Sequence, residues 1–176
     1  MLRILACLLI ASLGSAAAHA ADGPGCPHLL TVDEVAAAVG SPVKLTTAAT
    51  NGRIAAGPAV NKPIEVCSWQ TETKQLGVNI VYVPMLEPPA RAQGLKAVEF
   101  PLGQLRAMHF SEERRDFGGV HCSSLSPAKA AKVPPLVTGC IGDANGTAVY
   151  VGISSHASQP SFDQVKQLYD AVAARM

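Results

Sequence analysis

VTGCIGDANGTAVYVGIS, residues 137–154, is the stretch whose reading decides the fold. Val137 to Ile141 and Thr147 to Ser154 are two apolar runs, joined by Gly142-Asp143-Ala144-Asn145-Gly146. Asn-Gly suits a tight hairpin turn, whose two central residues take positive φ. Val149, Val151 and Ile153 share one face of the second run by period-two alternation. An antiparallel hairpin follows. Downstream, Ser161 and Gln164 make a Ser-x-x-Gln capping box. Phe162, Val165, Leu168, Tyr169, Val172 and Met176 then recur at helical spacing, the stripe of a helix that needs a sheet to cover.

The same reading extends upstream. Glu65–Thr71 and Leu76–Val83 form a second hairpin around the polar stretch Glu72 to Gln75. Cys67 and Trp69 fall on one face of its first strand, with Val66, Ser68 and Gln70 on the other. Thr31 and Glu34 form another capping box, with Leu30 and Val35 placed as its hydrophobic staple and Gly40 as the stop. Val32, Val35, Ala36 and Val39 share a face of that helix. After Ser41-Pro42, Val43 to Thr47 reads as a strand, and residues 48–64 as a long exposed loop. Ala90 to Val98 suits a short helix started by Pro88-Pro89. Phe100, Leu102 and Leu105 fit no template well, and Glu112 to Asp116 reads as a solvated charge run. Val120 to Leu125 is a short strand, followed by a connection with one helical turn over Ala128–Lys132. This order of elements predicts an α+β domain: an antiparallel sheet with helices packed mainly on one face.

The N-terminus carries the parts of a secretory signal. Arg3 is the only Lys, Arg, Asp or Glu in the first twenty residues, Ile4 to Leu13 are apolar, and Ala18-His19-Ala20 offers small residues for cleavage after Ala20. Ten apolar residues are too few to span a bilayer, which needs about 20. The lipobox-like Ile4-Leu5-Ala6-Cys7 leaves almost no room before its cysteine. The expected organisation is a signal peptide at 1–20 and a single domain at 21–176, exported to the periplasm or cell exterior. With Arg3 gone, the remaining chain balances its charges at 13 basic and 13 acidic. Neither a nucleic-acid footprint nor a polybasic membrane patch is expected, and no later segment is apolar enough to span a membrane.

Cys7 leaves with the signal, so Cys26, Cys67, Cys122 and Cys140 remain. An even count in an oxidising compartment reads as two disulfides. Of the three possible pairings, two local loops, Cys26–Cys67 and Cys122–Cys140, are preferred over a cross-braced pair. No Cys-x-x-Cys occurs, the usual mark of a redox dithiol or zinc site.

Cys26-Pro27-His28-Leu29-Leu30-Thr31, Glu34-Val35, Gly40 and the later Cys67-Ser68-Trp69 form a pattern. It resembles a group of small exported bacterial domains of unknown function, and loosely actinobacterial lipoproteins and the extracellular sensor domains of bacterial Ser/Thr kinases. The resemblance covers residues 26–83 and, loosely, the terminal strand and helix. It implies an α+β sheet domain with a first disulfide from Cys26 to the Cys-x-Trp strand. Cys26 departs from the lipoprotein members, lying six residues past the expected cut without a lipobox.

Catalytic patterns are sparse. His28, His109, His121 and His156 show no His-x-His or i, i+4 spacing, so no metal site is expected, and no cofactor motif occurs. Gly152-Ile153-Ser154-Ser155-His156 is not a nucleophile elbow. Asp33, Glu34, Glu87, Glu99, Glu112, Glu113, Asp116, Asp143 and Asp163 are the carboxylates from which acid–base chemistry would have to come. Asp33, Glu34 and Asp163 already serve helix starts, and Asp143 a turn. Asp143-Ala144-Asn145-Gly146 lacks the downstream acidic ligand of a calcium loop. Trp69 shares a face with a disulfide cysteine and reads as core.

The expected function is therefore a non-catalytic binding or interaction module, its partner a protein, an envelope polymer or a small molecule. One alternative is an inhibitor or immunity protein against an envelope-targeting enzyme, using residues 48–64 or 109–119. The other is a small secreted hydrolase built on carboxylates or on His121 and His156.

Overall fold

The computed structural model describes residues 25–55, 61–84, 87–127 and 135–176. The signal segment 1–20, its cleavage point and the helical turn expected at 128–132 lie outside these residues. A seven-stranded antiparallel sheet organises the rest: β1 (Lys44–Ala55), β2 (Asn61–Gln70), β3 (Leu76–Val83), β4 (Phe110–Asp116), β5 (His121–Pro127), β6 (Leu136–Ala144) and β7 (Thr147–Ser155). Their spatial order is β1-β2-β3-β7-β6-β5-β4. A three-stranded piece, β1 to β3, thus meets a four-stranded one, β4 to β7, where β7 returns to pair with β3. Among the described residues there are five helices: α1 (Cys26–Leu29), α2 (Val32–Val39), α3 (Pro88–Val98), α4 (Phe100–Ala107) and α5 (Phe162–Ala173).

Local chemistry accounts for the boundaries. Both capping boxes form, Thr31 with Glu34 and Ser161 with Gln164. Gly40 closes α2 in the left-handed region, at φ 69°. The β6–β7 turn is the two-residue Asn145-Gly146, at φ 53° and 83°, and Asp143 Oδ1 accepts from the Gly146 N–H at 2.7 Å. Leu30 and Val35 are buried as a staple requires, whereas Val32 is 42 % exposed and lies off the buried face of α2.

Helices cover both faces of the sheet. On one face α1, α2 and α5 pack over Cys67, Trp69, Ile80, Val151 and Cys140, and Phe162, Val165, Leu168, Tyr169 and Val172 of α5 are all buried there. On the other, α3 and α4 supply Ala90, Val98 and Leu102 to a second cluster with Val81, Val83, Leu125, Ile141 and Tyr150. The expectation that helices pack mainly on one face is thereby corrected. The reason is that β3 and β7 are apolar on alternate residues of both faces, and each face needs its own cover.

Three further expectations change. Of residues 48–64, expected as a loop, 48–55 continue β1 and 61–64 begin β2, paired from Ala48–Cys67 to Ala55–Asn61, while 56–60 lie outside the described residues. Residues 100–107 form α4, in which Leu102 is buried while Phe100 points outward, 63 % exposed. The charge run 112–116 belongs to edge strand β4, paired with β5 from Phe110–Pro127 to Asp116–His121.

Both disulfides form as preferred. Cys26–Cys67 ties α1 to β2, and Cys122–Cys140 joins directly paired residues of β5 and β6. At the β4 edge, the Arg115 guanidinium lies 4.6 Å from the ring centre of Phe162, covering the start of α5. Arg175, just past α5, donates to the Leu29 carbonyl at 2.6 Å and pairs with Glu34. Among the described residues no helix is long and apolar enough to cross a membrane.

Candidate functional site

One cross-strand row runs through all seven strands on the α3–α4 face: Ala49, Val66, Val81, Tyr150, Ile141, His121 and Asp116. The row changes character at Ile141. Toward β1 it is apolar; toward β4 it ends in a histidine and a carboxylate. Beside it runs Thr47, Ser68, Asn79, Gly152, Gly139, Ser123 and Arg114. Period two on each strand puts both rows on the same side of the sheet.

The charged end of these rows faces a cleft of about 560 Å³ beneath the α3–α4 elbow. Leu95 and Ile141 give it apolar contact, and Glu99, Arg106, Arg114, Asp116, His121 and Asp143 carry its charge. Arg106 is the tie between the helices and the strands. Its Nε and Nη2 donate to Glu112 Oε1 at 2.9 and 2.7 Å, Nη2 also to Ser123 Oγ at 3.3 Å, and Nη1 to Glu99. Arg114 Nη2 donates to the other Glu112 oxygen at 2.7 Å. Burial alone would raise the Glu112 carboxyl, but hydrogen bonds from Arg114, Arg106 and Ser123 outweigh it and hold the group down at about 2. Glu112, 14 % exposed, is therefore ionised, and it fixes both guanidinium groups.

At the rim, His121 Nδ1 and Asp116 Oδ2 are 2.9 Å apart. With Nδ1 donating to Asp116, a neutral His121 presents Nε2 as an acceptor. Opposite, Arg91 Nε and Asp143 Oδ2 pair at 3.4 Å. The arrangement brings together guanidinium donors at Arg114, the imidazole of His121 and the carboxyl groups of Glu99 and Asp143, around an apolar patch.

Of the carboxylates considered from sequence, Glu99, Asp116 and Asp143 line this cleft, with Glu112 behind its arginines. Asp33, Glu34 and Asp163 lie in first turns of helices, and Glu87 at the start of α3. Glu34 is held down to about 2 by hydrogen bonds from Arg175 and from the Thr31 backbone. Glu113 pairs with Arg115 on the opposite face of β4. The histidines are not brought together. His28 ends α1, His109 sits in a tight turn at φ 60°, and His156 follows β7, bonded through its N–H to Gln75. His156 lies six residues along β7 from Tyr150, whose row holds His121, or roughly 20 Å at strand rise. Ser123 shares a face with His121, but its hydroxyl accepts from Arg106; among the described residues it makes no hydrogen bond to His121. Nor do the described residues include a group of three or more His, Cys, Asp or Glu able to hold a metal.

Sequence reasoning missed Arg106, Arg114 and Leu95. A signal for part of this was present: read as a strand, Glu112-Glu113-Arg114-Arg115-Asp116 puts Glu112, Arg114 and Asp116 on one face.

Compared with protein-family models, curated proteins and solved structures, the chain matches none.

Proposed function

We propose that the chain is an exported, non-catalytic binding module whose ligand occupies the cleft between the α3–α4 elbow and β4–β6. The observation that carries this reading is the preorganised Arg106–Glu112–Arg114 network along a cleft of small-molecule size. Arg114 gives one hydrogen bond among the described residues and keeps further guanidinium donors for an anion. His121 Nε2 is placed to accept from a neighbouring hydroxyl or amine. The matching ligand is a small polar molecule bearing a carboxylate beside such a donor. Two disulfides and the absence of a membrane-crossing helix among the described residues are compatible with export.

A binding role is supported over hydrolysis by two features. Glu112 is held ionised, the opposite of what a general acid needs. Ser123 is engaged by Arg106 rather than by a base. The test is a thermal-shift and calorimetric screen of the oxidised protein against uronic, hydroxy and amino acids. The expected result is saturable binding by at least one, weakened tenfold or more in Arg114→Ala and His121→Ala. Binding unaffected by both substitutions, or no binding across the panel, overturns the cleft as the ligand site. One stoichiometric protein captured from envelope extract would then favour the inhibitor reading.

A further inference from the structure

The apolar half of the same sheet face holds a second groove, about 660 Å³, between β2–β3–β7 and the start of α4. Val66 and Val81 form its floor, Phe100 its rim, and Asn79, Gln104 and Tyr150 its polar edge. It is separate from the charged cleft: the two share no lining residue.

Tyr150 gives this groove direction. The residue is 3 % exposed, and its ring lies over the paired glycines Gly139 and Gly152. A Cβ at Gly152 would overlap the Tyr150 hydroxyl, and one at Gly139 would overlap the ring. The absence of side chains at these two positions lets the ring lie flat, with its hydroxyl over Gly152, next to Asn79 on β3. Among the described residues this hydroxyl makes no hydrogen bond, yet it is not sealed from solvent as the Tyr169 hydroxyl is. Burial pushes the phenol above its ordinary value, so it remains a donor at any physiological pH. Asn79 is oriented as well, its Oδ1 accepting from Ser68 Oγ at 2.7 Å. A donor held at the groove, bonded to no described protein group and within reach of solvent, is free to pair with a ligand's acceptor.

We propose that this groove binds an uncharged, planar aromatic small molecule whose hydrogen-bond acceptor reaches the Tyr150 hydroxyl. The absence of charge follows from the lining, in which the described residues include no acid or base beyond the phenol itself. Planarity follows from a flat valine floor on the sheet and an exposed phenyl ring at the rim, suited to offset or edge-to-face contact.

The test uses the neutral naphthyl ketone dye prodan, whose emission reports both polarity and hydrogen bonding, titrated into the oxidised protein. Saturable one-to-one binding with a shifted emission is expected. Tyr150→Phe removes only the hydroxyl and should weaken binding about fivefold to tenfold, the worth of one neutral hydrogen bond. Phe100→Ala should weaken it too, without loss of folding, because the ring is mostly exposed. Arg114→Ala should leave it unchanged, which separates this groove from the cleft. Absence of saturable binding, or equal affinity in folded Tyr150→Phe, overturns the proposal.

Discussion

Substituting Gly152 by Ala tests the packing that shapes the α3–α4 face. In an ordinary strand position, Gly→Ala is neutral or stabilising by up to about 1 kcal/mol, because it narrows the unfolded ensemble. Here the new methyl overlaps the Tyr150 hydroxyl and Cζ and lies 3.0 Å from Cε1. Either the sheet yields or the ring leaves. Complete expulsion of a tyrosine that buries roughly 150–250 Å² would cost about 4–6 kcal/mol at ~25 cal/mol per Å². A partial shift costs about 1–3 kcal/mol, the usual range for overpacking. The expected net loss is therefore about 2–4 kcal/mol, read from the midpoint of urea unfolding. Tyr150→Leu removes the far ring atoms that cause the overlap while keeping an apolar side chain. In that background Gly152→Ala should cost less than about 1 kcal/mol, a coupling of about 1 kcal/mol or more. If Gly152→Ala is neutral in the wild type, or costs the same in both backgrounds, the ring is not held by the glycines.

Two other perturbations probe the charged end and the cross-links. The folded-state pKa of Glu112 is about 2 against an ordinary 4.5, so its stabilisation is present above about pH 4.5 and is lost as pH falls toward 2. Allowing for partial solvent screening, its share is on the order of 2 kcal/mol. Urea unfolding should show Glu112→Gln less stable than wild type at pH 6, with the two converging near pH 2; parallel curves would refute the assignment. Replacing both Cys122 and Cys140 by Ala should cost about 3 kcal/mol, and replacing Cys26 and Cys67 about 4 kcal/mol, from sequence separations of 18 and 41. Unchanged unfolding midpoints in both pairs would remove the entropic account of these bridges.

What was legible in the sequence was whatever local chemistry specifies. The two capping boxes, the Asn145-Gly146 turn, the β2–β3 hairpin and the stripe of α5 each depend on residues a few positions apart, and each is found in the structure. The elements that were misread depend on pairing at a distance. Ala48 to Ala55 has weak strand character of its own and is extended because β2 supplies its hydrogen bonds. Glu112 to Asp116 has poor β propensity, and an edge position makes the strand tolerable by keeping its charges near water. Phe100 obscured α4 because it faces the groove rather than the core. Helices on the second face had a sign in Val81 and Val83, apolar residues on the side of β3 opposite Val78 and Ile80. The candidate cleft was half legible: its carboxylates and His121 were named, but their convergence needed the register of β4, β5 and β6.

That register also bears on how copies of the protein meet one another. Every open sheet ends in two borders able to template a further strand, and such borders are where fibrils begin. The β4 border carries five consecutive charged residues, 112–116. The β1 border carries none from Leu45 to Gly52, and its defence is geometric: register shifts at Leu45/Thr47 and Thr50/Arg53 leave Thr47–Thr50 as the longest uninterrupted run. Four residues fall short of the six or seven that a stable cross-β zipper uses. An incoming strand meets charge at one border and broken register at the other, and both features oppose edge-to-edge pairing.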